Sequence, residues 1–166
     1  MPRRLLRDRE VVVDEWLYVA EAAADATSPL IVTFDQWRME PDTWIARGTR
    51  LGLVLAPAHK VPDIAPDLGH FSLIAVQFPG PGEGRGYTQA RLLRERFDFR
   101  GELRATGHVR TDQVFFMARC GFNSFELPET DIDGAIAAFS TFTAAYQPSN
   151  DLGLAIKLPR DIPASA

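Results

Sequence analysis

The chain of 166 residues has one cysteine, Cys120, and two lysines against sixteen arginines. A single cysteine excludes an internal disulfide, an iron–sulfur cluster held by this chain alone and a four-cysteine zinc site. It also fits a reducing compartment. No apolar run approaches the ~18 residues of a membrane span. The N-terminal Met1-Pro-Arg-Arg-Leu-Leu-Arg-Asp8 lacks the apolar stretch of a signal peptide, so a cytoplasmic protein without membrane contact is expected. The formal charge of −4 argues against nucleic acid as a partner, because phosphate contacts need a basic surface. The three histidines, His59, His70 and His108, share no ligand-like spacing, and no metal site is expected. Walker and nucleophile-elbow patterns are absent, and the glycines of the third strand's loop do not form the dinucleotide-binding turn.

Hydrophobic residues make up 46% of the chain, enough to bury a core, and the length suits one domain. Residues 4–20 read as a short hairpin: Arg4–Leu6 and Val11–Val13 flank the charged turn Arg7-Asp-Arg-Glu10, and Trp16–Val19 continues the extended pattern. Residues 1–28 are thus an N-terminal hairpin and linker, 29–147 an α/β core and 148–166 a loose, proline-rich tail. In the core, strands are expected at Leu30–Phe34, Leu51–Leu55, Phe71–Phe78, Glu102–Ala105 and Ser124–Leu127. Helical patterns lie at Asp42–Arg47, Thr88–Phe97, Thr111–Cys120 and Asp131–Tyr146, and His59–Leu68 is broken by Pro62 and Pro66. Thr88 is positioned to cap one helix and Thr111 or Asp112 the next. Gly121 sits where a left-handed helix cap is expected.

Phe71–Phe78 is apolar at nearly every position, as a strand covered on both faces requires. The pattern predicts an α/β fold of about five mostly parallel strands with flanking helices, preceded by the hairpin. Length favours a flavodoxin-like open sheet over an incomplete (β/α)₈ barrel, since a full barrel typically needs ~250 residues. Arg104 falls inside a strand, where alternation points it toward the sheet's edge. Val114–Ala118 offers more apolar surface than one sheet contact needs, which suggests a homodimer through this helix or the closing one.

The segment Phe78-Pro-Gly-Pro-Gly-Glu-Gly-Arg-Gly-Tyr87 leaves a strand and enters an arginine-rich helix, the place where α/β proteins gather ligand chemistry. Gly84, Arg85, Gly86, Tyr87 and Thr88 form the expected ligand-binding set, with Arg85 as a fork donor for a small anion. Glu83, Tyr87 and His108 are the candidates for acid or base work. Each has a plainer reading: Arg85 tying its own loop, Tyr87 packing, and His108 as a loop histidine. Cys120 reads as a small buried residue.

Gly84-Arg-Gly-Tyr-Thr-Gln-Ala-Arg-Leu-Leu-Arg-Glu-Arg-Phe97, with Gly101–Gly107 and Thr111–Phe122, resembles the DUF934 family of uncharacterised bacterial proteins. These are often encoded beside assimilatory sulfite or nitrite reductase and are sometimes labelled probable oxidoreductases. The resemblance implies an accessory or anion-binding protein of sulfur assimilation, with sulfite reductase or its partners as contacts. It brings no mechanism. Gly80 stands where the family usually has lysine, Glu83 where it has aspartate, and His108 where its Gly-Asp-Val turn has aspartate. A small enzyme acting on an anionic metabolite at the Gly80–Tyr87 loop is the alternative. No cofactor is expected; a flavin enters only through the flavodoxin-like pattern.

Overall fold

The computed structural model describes residues 3–20 and 27–141. Among these residues, eight strands form one sheet. The first two, β1 (Arg4–Arg7) and β2 (Glu10–Val13), make the expected antiparallel hairpin. Asp8 and Arg9 at its tip both take positive φ, 50° and 69°, as a two-residue turn matched to strand twist requires. The others are β3 (Leu17–Tyr18), β4 (Leu30–Thr33), β5 (Leu51–Leu55), β6 (Phe71–Phe78), β7 (Glu102–Gly107) and β8 (Ser124–Phe125). The α-helices among the described residues are α1 (Phe34–Met39), α2 (Pro41–Ala46), α3 (Val61–Ile64), α4 (Arg85–Arg91), α5 (Val114–Cys120) and α6 (Ile132–Thr141).

Among the described residues six strands run parallel where about five are expected, because Leu17–Tyr18 joins them as β3, and the layout differs as well. The order across the sheet is β2-β1-β8-β7-β6-β5-β4-β3, so β3 to β8 lie side by side in chain order, all parallel. A flavodoxin-like sheet needs a reversal of strand order at a switch point. No reversal occurs within this parallel run, and the sheet is instead open and curled. That succession is the one the incomplete-barrel alternative requires. The hairpin does not stand apart either: β1 pairs antiparallel with β8 and covers an edge that would otherwise offer free ladder groups. Residues 16–19 do not extend the hairpin; Leu17 and Tyr18 pair with β4 at the far end.

The helices pack on one face. Leu53, Leu55, Ile74, Val76, Leu103 and Ala105 bury that face against residues such as Val61, Ala90, Leu93, Met117 and Ala135. The opposite face has a small apolar cluster of Trp16, Ile31, Leu73 and Ala75 beside a polar half around Arg104. Thr33 and Gln36 form a reciprocal capping box, a Thr-x-x-Gln start signal for α1, so the strand expected over Leu30–Phe34 ends at Thr33 and Phe34 opens the helix. Gly121 is the left-handed end of α5 (φ 117°), as expected. Thr88 is not a cap: α4 begins three residues earlier, where Glu83 accepts the Arg85 backbone N–H at 3.1 Å. Nor do Thr111 or Asp112 cap by side chain; a 3₁₀ turn covers Thr111–Gln113 and α5 follows. α4 continues as a π-helical turn, Leu92–Arg96.

Val114, Met117, Ala118 and Cys120 of α5 are buried within the chain, and Phe116 is its exposed large side chain. Of the closing helix, Ile132–Thr141 is described; 142–146 and the expected tail 148–166 lie outside the described residues. No helix among the described residues is long and apolar enough to cross a membrane.

Candidate functional site

Six parallel strands bring one end of the sheet to a common level. Tyr18 ends β3, Thr33 ends β4, Ala56 follows β5, Gln77 and Thr106 sit one residue from the ends of β6 and β7, and Glu126 follows β8. Their side of the sheet is the one away from most helices, because Tyr18 and Val54 pack on the Trp16 cluster. All six residues line one cavity of about 600 Å³, together with Arg3, Phe34, Asp35, Val54 and His59. Carboxyl ends of parallel strands are where open α/β sheets and barrels hold ligands.

One layer deeper, Ala75 pairs with Arg104 and Arg104 with Ser124. The Arg104 side chain is wholly buried, so it points into the curl and not to the sheet's edge. It grips Asp14 with two bonds of 3.0 Å, Glu102 Oε1 at 2.9 and 3.0 Å and Glu126 Oε1 at 3.1 Å. Burial opposes its charge, but Glu102, Asp14 and Glu126 outweigh burial and hold the guanidinium above its ordinary pKa. Arg3 adds a 3.1 Å bond to Asp14 and lies over the Tyr18 ring. Arg7 reaches Glu102 at 3.4 Å.

Glu126 carries this network to the cavity. It accepts Tyr18 O–H at 2.7 Å and Thr106 O–H at 2.7 Å. The Tyr18–Glu126 bond joins β3, at one end of the sheet, to the residue after β8, so side chains and not a strand ladder draw the curl together. Burial and the Glu126 carboxylate push the Tyr18 hydroxyl well above the usual tyrosine range, and it remains a proton donor. His59 accepts the Ala56 backbone N–H on Nδ1 at 3.0 Å, which leaves Nε2 to carry the proton of the neutral ring. Its ring stacks on Phe34 at 4.2 Å.

His59 also borders a second, smaller cleft of about 290 Å³ between α3 and α4, where Lys60, Arg85, Thr88 and Gln89 meet the apolar Val61 and Leu92. Arg85 and Thr88 of the expected loop set come together here. Arg85 is exposed and pairs with Glu83 through Nε and Nη2, at 3.0 and 3.2 Å. That pairing, then the Arg85 backbone N–H, holds the Glu83 carboxyl below its ordinary value, so Glu83 is ionised at neutral pH. Gln89 donates to Ala56 O and His59 O at 2.9 and 2.8 Å, while its Oε1 is buried without a partner.

The rest of the set is placed apart. Gly86 is buried, and a Cβ there would stand 2.6 Å from the Phe78 ring; its bareness serves the close crossing of α4 over β6. Gly86→Ala is expected to cost about 1–3 kcal/mol by overpacking, read as a lower urea midpoint; an unchanged midpoint would mean that α4 does not pack this tightly. Tyr87 packs between Phe78 and Phe116, with ring centroids 5.3 and 5.2 Å away, and burial raises its hydroxyl pKa. Gly84 precedes α4 and is exposed. His108 lies on a third cavity with Arg110, Thr111, Asp112 and Asp131, away from the Arg85 cleft. Cys120 is buried and free of disulfides. No group of acidic, histidine or cysteine side chains among the described residues could hold a metal ion.

A family model described as a bacterial protein of unknown function, DUF934, matches residues 52–155. The chain belongs to the DUF934 family. No curated protein matches it. The DUF934 match contains Glu83, Arg85, Tyr87, Arg104, His108 and Glu126, whereas Arg3, Asp14, Tyr18 and Asp35 precede it. The cavity therefore draws on residues inside the matched segment and on residues that precede it. Sequence reasoning passed over Tyr18, Gln77 and Glu126. One signal was present: Glu102-x-Arg104-x-Thr106 alternates polar residues through an apolar strand, which gives that strand one polar face.

Proposed function

We propose that this protein is an accessory protein of assimilatory sulfur metabolism in the cytoplasm, which binds a small anion in the cleft between α3 and α4. The observation that carries the reading is the pair of cations, Lys60 and Arg85, bordering one cleft with Thr88. Lys60 has no carboxylate partner among the described residues. Arg85 is held by Glu83 in a geometry that leaves its guanidinium exposed, so an incoming anion can share it. The sulfur link rests on the genomic neighbours of the DUF934 proteins that this chain resembles, and sulfite reductase or its partners are the corresponding contacts.

Calorimetric titration with sulfate, sulfite and phosphate tests the binding. Saturable uptake is expected, weakened about tenfold by Arg85→Gln or Lys60→Gln, the loss of one charge-assisted bond. Absence of saturation at millimolar anion rejects the anion site. Capture of sulfite reductase on the immobilised protein, and poor growth of a deletion strain on sulfate, test the pathway separately.

The alternative is a small enzyme acting on an anionic metabolite at the Gly80–Tyr87 loop. It is favoured by the geometry that sets the Glu83 carboxylate beside Arg85, a proton acceptor next to an anion-holding cation. In that case Glu83→Gln retains the ligand and abolishes its conversion, followed by NMR of the incubated metabolite. A homodimer is proposed through α5, with Phe116, its exposed aromatic, at the contact. Sedimentation of wild type as a dimer and of Phe116→Glu as a monomer is expected; a wild-type monomer at high concentration rejects it.

A further inference from the structure

The mouth of the curled sheet has a different chemistry from the Lys60–Arg85 cleft. Its one arginine, Arg3, is already engaged by Asp14, by the Trp16 carbonyl and by the Tyr18 ring. Its two carboxylates are not equally spent. Glu126 is engaged at Oε1 by Arg104 and Tyr18 and at Oε2 by Thr106 alone, and Asp35 has no hydrogen bond or ion pair among the described residues. The Gln77 amide, exposed near the end of β6, is likewise unpartnered among them. His59 keeps Nε2–H once Nδ1 has accepted from Ala56. A cavity of about 600 Å³ is of small-molecule size, and its polar lining carries surplus negative charge with amide, hydroxyl and imidazole groups.

We propose that this mouth is a second binding site, taking a small molecule that bears an ammonium group and hydroxyls. The ammonium is held by Asp35 and the remaining lone pair of Glu126 Oε2, and the hydroxyls by Gln77 and His59. Simple anions are repelled here. The buried Arg104 network beneath supplies rigidity: Glu126 is clamped by three donors, so its position costs little ordering when ligand arrives. The site does not depend on the anion cleft, since the two share only the wall residue His59.

Amide-detected NMR of the ¹⁵N-labelled protein tests this with three small probes: ethanolammonium chloride, ethylene glycol and sodium acetate. Ethanolammonium is expected to shift Thr106 and the Gln77 side-chain amide saturably, while acetate leaves them in place. Asp35→Asn and Gln77→Leu, neither of which touches the Arg104 network, should each weaken that response about tenfold. An equal response to ethylene glycol overturns the ammonium assignment. Saturation by acetate, or ethanolammonium shifts no larger than those at the surface carboxylate Glu129, overturns the site. Sulfate added to a separate sample reports on Thr88 and Arg85, so failure of the anion cleft is read independently.

Discussion

Arg104→Met is expected to lower the stability of the protein by about 3–5 kcal/mol, the cost of stranding buried charge when one partner of an ion cluster is removed. Methionine fills much of the arginine's volume, so the loss isolates charge from cavity. Asp14, Glu102 and Glu126 each lose bonds of 2.9–3.1 Å, in a place where neither the substituted side chain nor Ala75 beside it offers a donor. Arg3 and Arg7 still reach Asp14 and Glu102, but neither replaces the two-pronged grip on Asp14. Thermal unfolding should fall by about 6–20 °C for a chain of this size. Adding Asp14→Asn to Arg104→Met should recover part of the loss, because one of the stranded charges goes with it; contacting residues are not additive. Arg104→Lys should fall between wild type and Met, since an ammonium keeps the charge without the fork. A loss below 1 kcal/mol for Arg104→Met would show that the cluster is wet and loosely held.

Gly107→Ala is the second large effect. Gly107 has φ +89°, and a Cβ there would lie 2.4 Å from the carbonyl oxygen of Phe78. That oxygen is backbone, in the parallel partner strand, and it already accepts the His108 N–H at 2.6 Å. Neither side can yield without breaking the end of the β6–β7 ladder. The left-handed conformation alone costs about 1–3 kcal/mol for a residue with a side chain, and overlap adds a similar amount, so about 3 kcal/mol or more is expected. Because Thr106 and Gln77 stand beside this turn, the same variant should shift their NMR signals. Melting and amide spectra identical to wild type would contradict the turn as described.

The hydrophobic pattern determined where the strands and most helices lie. Leu51–Leu55 and Phe71–Phe78 are runs of apolar residues bounded by turns, and such runs are local: burial on both faces selects a buried strand whatever the rest of the chain does. The left-handed cap at Gly121 was readable for the same reason, since one residue's conformational freedom decides it. The start of α4 was misplaced because the relevant acceptor is the Glu83 side chain, and a glutamate in a glycine-rich loop has no single role in one dimension. Gly86 looked like room for a ligand; only the crossing of α4 over Phe78 shows what occupies that room.

Strand order had no signature in the chain. Parallel strands in either winding carry the same apolar runs, and the choice between them depends on which faces the helices cover and how the sheet closes. Here closure comes from Tyr18 reaching Glu126 and Asp14 reaching Arg104, contacts across 108 and 90 residues of sequence. A charged residue in a strand can be read as alternating, but its partners cannot, because a carboxylate anywhere in the chain has the same letter. The sequence by itself determined the family, the α/β class and the N-terminal hairpin. Only the tertiary structure decided that the chain curls around a buried arginine, and that the polar mouth above it gathers residues at the ends of six strands.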